Sequence, residues 1–288
     1  MSTSLGNEGI VTALGDRRYR IERGWARLPD GMYWGMVSQL AASSDGRLFV
    51  LQRTDPPVVV FGPDGTYVAG LMDRRIVDGH AIHIDRRPDG TERLFIVDRD
   101  AHEVVCADLD GRVLFTLGTR NTPAFEAPFN SPTDVTVAPD GEIYVSDGYG
   151  NTRVHRFSAS GEHLGSWGAL GTRPGAFITP HAITIDHEDR VLVADRENNR
   201  VQVFDRDGRV LAVWEGMHKP MDVVVDDRGL VLISDQVPRI HVLRLDGSVA
   251  GRGRAAINGA HGMSVGPDGA IYLAELAPET VTRLTPVD

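Results

Sequence analysis

Cysteine is almost absent. Cys106 is the only one in 288 residues, so no disulfide can form within the chain. No run approaches the roughly 18 apolar residues of a membrane span, and residues 1–19 lack the apolar centre of a secretory signal. Lys and Arg number 30 against 40 Asp and Glu, a formal charge of −10, and no basic run occurs. That balance argues against a nucleic-acid partner. The absences point to a protein of the reducing cytoplasm that works on neither membrane nor nucleic acid.

Turn punctuation, by contrast, is plentiful. The 32 Gly and 16 Pro fall between short apolar runs and do not cluster, so they read as turns. One unit recurs: an apolar strand, a turn such as Pro139-Asp140-Gly141, a second apolar strand ending in Asp or a similar residue, a third strand, and another Asp-Gly or Ser-Gly turn. The second-strand ends are Gln52, Asp98, Asp147, Asp195, Asp235 and Glu275, spaced 46, 49, 48, 40 and 40 residues apart. That is the period of a four-stranded propeller blade, and the runs have the length and β-branched character of strands. The fold class expected is all-β, a six-bladed β-propeller. Residues 1–18 are set apart as an N-terminal extension, and residues 19–288 form the single domain. Too little chain follows Thr280 to complete blade 6, so residues 19–28 are expected to close the ring by pairing with it. Closure removes exposed sheet edges.

Three histidines fall on this repeat with their own period. His181 lies fourteen residues before Asp195, and His261 fourteen before Glu275. His80 opens blade 2 in the same way, with a lengthened first turn. The equivalent positions in blades 1, 3 and 5 carry Ser38, Thr133 and Met221. First strands line the channel, and alternate blades of a six-fold ring stand about 120° apart, so the three imidazoles converge on the axis. Three neutral nitrogens with an open fourth position suit zinc or another divalent transition metal. An isolated histidine at a strand start is usually structural, and the seven others in the chain are read that way.

Residues just after the second-strand ends share the mouth with the first-strand starts. They include Arg53, Arg99 and Arg196, with Tyr149 one step further along in blade 3. Arginine grips carboxylates through paired hydrogen bonds. A tyrosine beside a cation can act as a base. The strand-end Asp residues are read as structural acceptors for turn amides. Loops 119–131 and 169–179 should rim the mouth. Their Phe125, Phe129 and Phe177 suggest a partly apolar wall, or else loop packing.

The segment from Pro132-Thr133-Asp134-Val135 through Ser146-Asp147-Gly148-Tyr149-Gly150-Asn151-Thr152-Arg153 resembles the NHL-repeat lyases known as peptidylglycine α-hydroxyglycine α-amidating lyases. So do Pro174-Gly175-Ala176-Phe177, Pro180-His181 and Ala194-Asp195-Arg196-Glu197-Asn198-Asn199-Arg200. The resemblance implies cleavage of a carbinolamide, N–CH(OH)–COO⁻, to an amide and glyoxylate. It implies zinc on His80, His181 and His261, Tyr149 as catalytic base, and Arg53 and Arg196 as active-site arginines. Departures accompany it. Gly150 and Gln202 stand where family cysteines fall, and Gly262 replaces the aspartate of a structural calcium site. A small metabolite substrate is expected here, with Arg99 and Phe177 as further contacts to it. The alternatives are a zinc-dependent hydrolase or hydratase of a small amide, ester or lactone on the same residues, a non-enzymatic NHL binding scaffold, and a calcium-dependent lactonase propeller.

Overall fold

The computed structural model describes residues 9–255 and 259–287. Six antiparallel sheets surround one channel. Blade 1 is Val37–Ala42, Leu48–Gln52, Val58–Phe61 and Tyr67–Leu71. Blade 2 is Gly79–Arg86, Glu92–Asp98, Glu103–Asp108 and Val113–Gly118. Blade 3 is Asp134–Val137, Ile143–Asp147, Arg153–Phe157 and His163–Trp167. Blade 4 is Pro180–Ile185, Val191–Asp195, Arg200–Phe204 and Val210–Trp214. Blade 5 is Pro220–Val225, Val231–Asp235, Arg239–Leu243 and Val249–Gly253. The second strands of blades 1, 3, 4 and 5 are buried throughout, because each is sandwiched within its sheet and between the neighbouring blades. The core is accordingly a set of inter-blade clusters, such as Phe49, Leu51 and Val58 of blade 1 against Ile82, Leu94 and Ile96 of blade 2.

Blade 6 supplies Ala260–Val265, Ile271–Leu276 and Glu279–Val287, and the N-terminal region completes it. Arg17–Arg23 pairs antiparallel with the last strand, Ile21 opposite Leu284, and Val11–Leu14 adds a fifth, outermost strand. The closing strand therefore begins before residue 19 and ends at Arg23. Residues 11–18, assigned by sequence to the extension, lie within this sheet, and residues 1–8 of that extension fall outside the described residues. The chain then crosses to blade 1, where Arg27 donates its amide to the Gly65 carbonyl at 3.0 Å.

The repeat aspartates act as clamps. Asp147 accepts the Asn130 amide at 2.9 Å, Asp195 the Ile178 amide at 3.0 Å, and Asp235 the His218 amide at 3.0 Å. Asp98 accepts the amides of Val77 and Asp78 at 2.9 and 3.0 Å. Each carboxylate thus ties down the loop that enters its own blade's first strand, and these loops form the mouth.

Candidate active site

All three histidines sit at irregularities of the innermost strand. Register shifts lie between Gly79 and Ala81, between Pro180 and Ala182, and between Ala260 and Gly262. His80, His181 and His261 are the extra residues of these bulges, and a bulge re-aims a side chain that regular pleating would send elsewhere. The rings meet with centroids 4.9 to 5.0 Å apart and planes crossing at 69° to 73°. Their ligand nitrogens lie within 4.8 Å of one another, and the residues are buried.

The tautomers are fixed by the next blade. His80 Nδ1 lies 2.6 Å from the Thr133 carbonyl, His181 Nδ1 2.6 Å from that of Met221, and His261 Nδ1 2.7 Å from that of Ser38. A carbonyl only accepts, so each Nδ1 carries the proton and each Nε2 keeps its lone pair. The partners are the residues at the histidine-equivalent positions of blades 3, 5 and 1. Burial, above all, holds the three imidazoles neutral. It pushes His80 and His181 well below 6.5, helped by the neighbouring histidines, and His261 to about 4. Neutral imidazoles of fixed tautomer, held by outer hydrogen bonds, are what zinc requires of its ligands. The residues present fit the metal.

Around the triad stand the groups expected from sequence. The Tyr149 hydroxyl lies 3.0 Å from His80 Nε2 and 3.1 Å from His181 Nε2, and Arg196 Nη1 donates to it at 3.2 Å. The guanidinium carbons of Arg99 and Arg196 lie 5.7 and 5.4 Å from the Tyr149 ring centroid. Arg53 makes an ion pair with Asp78 at 3.0 Å, outside hydrogen-bond geometry, while Arg99 donates to the other Asp78 oxygen at 2.7 Å. Asp78 was not singled out from sequence; its signal was its place two residues before His80 on the loop that Asp98 clamps. Burial raises its pKa against the pull of the two guanidiniums.

Phe177 needs correction as a substrate contact. It is fully buried against Phe204 at 5.6 Å, because its own backbone folds the loop inward: its amide donates to the Ala169 carbonyl at 2.8 Å. Phe129 is buried likewise. Phe125 alone of the three aromatics is exposed, joined by Leu170, which sequence reasoning passed over.

The calcium site implied by the resemblance does not fit. A Cβ on Gly262 would lie 2.0 Å from Gln39 Oε1, so that side chain fills the space an aspartate would need. Gln39 Nε2 donates to Asp222 at 3.0 Å, and Asp222 also accepts the Met263 amide at 2.5 Å. Asp134 accepts the Ile183 amide at 2.8 Å. These groups bridge blades directly beneath the triad. A cavity of 430 Å³ opens further along the first strands, but the triad is not part of its wall.

The NHL repeat matches residues 129–157 and 177–204. NHL repeat-containing protein 3 of Mus musculus is 32% identical over 212 residues, 69% of this chain and 60% of that protein. A probable peptidyl-alpha-hydroxyglycine alpha-amidating lyase of Caenorhabditis elegans is 28% identical over 230 residues, 71% of this chain and 63% of that protein. The match thus spans about three-fifths of either relative's length. A solved streptogramin B lyase superposes with a TM-score of 0.67 at 12% identity, covering 93% of this chain and 98% of that one, a likeness of fold alone. The chain is a six-bladed NHL-repeat β-propeller, homologous to the peptidyl-alpha-hydroxyglycine alpha-amidating lyases and to NHL repeat-containing protein 3.

Proposed function

We propose that the protein is a metal-dependent carbon–nitrogen lyase that cleaves a small carbinolamide, with zinc held by Nε2 of His80, His181 and His261. The observation that carries this reading is the Tyr149 hydroxyl, within 3.1 Å of two triad nitrogens and 3.2 Å from Arg196. Homology to lyases named for peptidyl-alpha-hydroxyglycine supports it. The metal, when bound, supplies Lewis-acid stabilisation of the negative oxygen that develops on the substrate.

The remaining chemistry falls to the side chains. Tyr149 takes the proton of the substrate hydroxyl, as a positioned general base. The oxygen electrons then form the carbonyl, the C–N bond breaks, and its electron pair passes to nitrogen. The proton held at the Tyr149 oxygen returns to that nitrogen, leaving an amide and an α-oxo acid. Arg196 and Arg53 hold the carboxylate. Arg99, tied to Asp78, completes the positive rim. The free, buried Cys106 suits a reducing compartment such as the cytoplasm.

Tyr149 is 41% exposed, so water can reach the phenol beside the triad, which favours a hydrolase or hydratase as the second reading. One experiment separates them. Zinc-loaded protein is offered N-acyl-α-hydroxyglycines in water enriched in heavy oxygen. Release of intact amide and glyoxylate, with no solvent oxygen in the acyl product, is expected of the lyase; the glyoxylate aldehyde oxygen exchanges through its hydrate and is not read. A labelled acyl carboxylate in place of the amide, or turnover only of esters and lactones, overturns it.

A further inference from the structure

A cavity of 410 Å³ has in its wall Tyr149, whose hydroxyl contacts two histidines of the triad. Phe125, Ala169, Leu170 and Ile178 give it an apolar wall. Phe125 and Leu170 are 80% and 76% exposed. Single exposed apolar side chains are ordinary. Here two of them, from separate loops, face one cavity, and the backbone beside each is pinned. Buried Asn151 accepts the Glu126 amide at 3.1 Å and donates to the Ala124 carbonyl at 3.0 Å, one residue to either side of Phe125. Next to Leu170, the Ala169 carbonyl accepts the Phe177 amide at 2.8 Å, and the Gly171 amide donates to the Phe177 carbonyl at 2.9 Å. Buried Phe177 anchors that loop. The fold thus holds both apolar side chains out to solvent.

Charge divides the mouth in two. Arg196 donates to the Tyr149 hydroxyl that touches the triad, Arg99 lies 5.7 Å from the same ring, and Arg53 shares Asp78 with Arg99, so the anion-binding end lies beside the triad. The cavity's own Arg153 is engaged, 3.4 Å from Glu126 and donating to the Gly168 carbonyl at 3.3 Å. We propose that this cavity receives an apolar acyl or aryl group on the amide side of the substrate, with Phe125 and Leu170 closing on it. The inference rests on the lyase reading for the identity of the reacting end. It makes the enzyme selective for carbinolamides with a longer apolar chain or a ring on the acyl group.

The test uses zinc-loaded full-length protein. Turnover is compared for N-acetyl- and N-hexanoyl-α-hydroxyglycine, and calorimetric binding for the unreactive N-acetyl- and N-hexanoylglycine. The hexanoyl compounds are expected to be favoured at least about tenfold in both kcat/KM and Kd, within what burial of several methylenes supplies. Phe125→Asn combined with Leu170→Asn should bring both ratios near one, with an unchanged melting curve because both side chains are exposed. Leu114→Asn, on the outer strand of blade 2, should leave the ratios intact. No chain-length preference in the wild type, or one that survives the double substitution, overturns the proposal. Chain-length-dependent binding without cleavage of any α-hydroxyglycine keeps the cavity and removes the lyase reading. Cleavage without chain-length dependence does the reverse.

Discussion

Arg196 reaches Tyr149 in two ways, donating from Nη1 to the phenol oxygen at 3.2 Å while its guanidinium carbon lies 5.4 Å from the ring centroid. The arginine therefore contacts both the hydroxyl and the ring of the phenol. Tyr149→Phe keeps the ring and removes only the hydroxyl. It is expected to lower kcat by about a hundredfold or more, the usual scale of general-base catalysis, while metal content stays constant. Arg196→Lys keeps the charge but loses the planar fork, so KM should rise and kcat fall together. Steady-state kinetics beside melting curves check both. Normal turnover by Tyr149→Phe would take the phenol out of the mechanism.

The carbonyl partners of the three Nδ1 atoms predict how the metal behaves. Purified protein should carry close to one transition-metal ion per chain. His181→Ala leaves two ligands and should lose most of it, with activity, while the propeller stays folded. Metal analysis and circular dichroism on the same sample test this. Full activity in metal-free protein would contradict it.

Gln39 fills the place of the missing acidic ligand at Gly262, and its amide bonds to Asp222. Chelating calcium alone is therefore expected to leave Tm unchanged. Gly262→Asp should destabilise the fold by about 1–3 kcal/mol, the cost of overpacking a filled site, because its Cβ would meet Gln39. A calcium-dependent Tm in the wild-type protein would show that other groups bind the ion.

Asp78 bridges Arg53 and Arg99, with contacts of 3.0 and 2.7 Å. Asp78→Asn removes the charge that orients both guanidiniums. KM for a carboxylate substrate should rise by about three- to tenfold through lost alignment, with a smaller change in kcat. A fall in KM would mean that Asp78 competes with the substrate for the arginines.

The pH dependence follows from His261. Burial, with Arg53, Arg196 and Arg99 behind it, pushes its folded pKa to about 4, below the ordinary 6.5. Such a group contributes stability that is full above the unfolded value and lost as pH falls through the folded one. Metal-free protein should thus lose Tm between about pH 6.5 and 4, and His261→Gln should reduce that loss. Asp222, raised by burial to about 6, acts in the opposite sense: its contribution is present below 3.8 and lost as pH rises through about 6. The Tm difference between wild type and variant at each pH isolates the histidine.

The six-fold period, the blade boundaries and the three histidines on alternate blades could all be read along the chain. Strand length, turn residues such as Pro139-Asp140-Gly141, and the fourteen-residue interval from His181 to Asp195 and from His261 to Glu275 are local features. Closure by the N-terminal region was legible too, because blade 6 runs out of residues, although the strand itself lies at Arg17–Arg23. Tertiary structure decided whatever depends on contacts between blades. Phe125, Phe129 and Phe177 look alike in sequence, yet only Phe125 is exposed, because core packing buries the other two. The histidine tautomers depend on carbonyls 40 or more residues away, and the displaced acidic ligand on Gln39, 223 residues from Gly262. Asp78 gained its place only when folding brought Arg53 and Arg99 to the same carboxylate. Repeat periodicity records which residues share a position within a blade; what meets across the channel is set by ring closure.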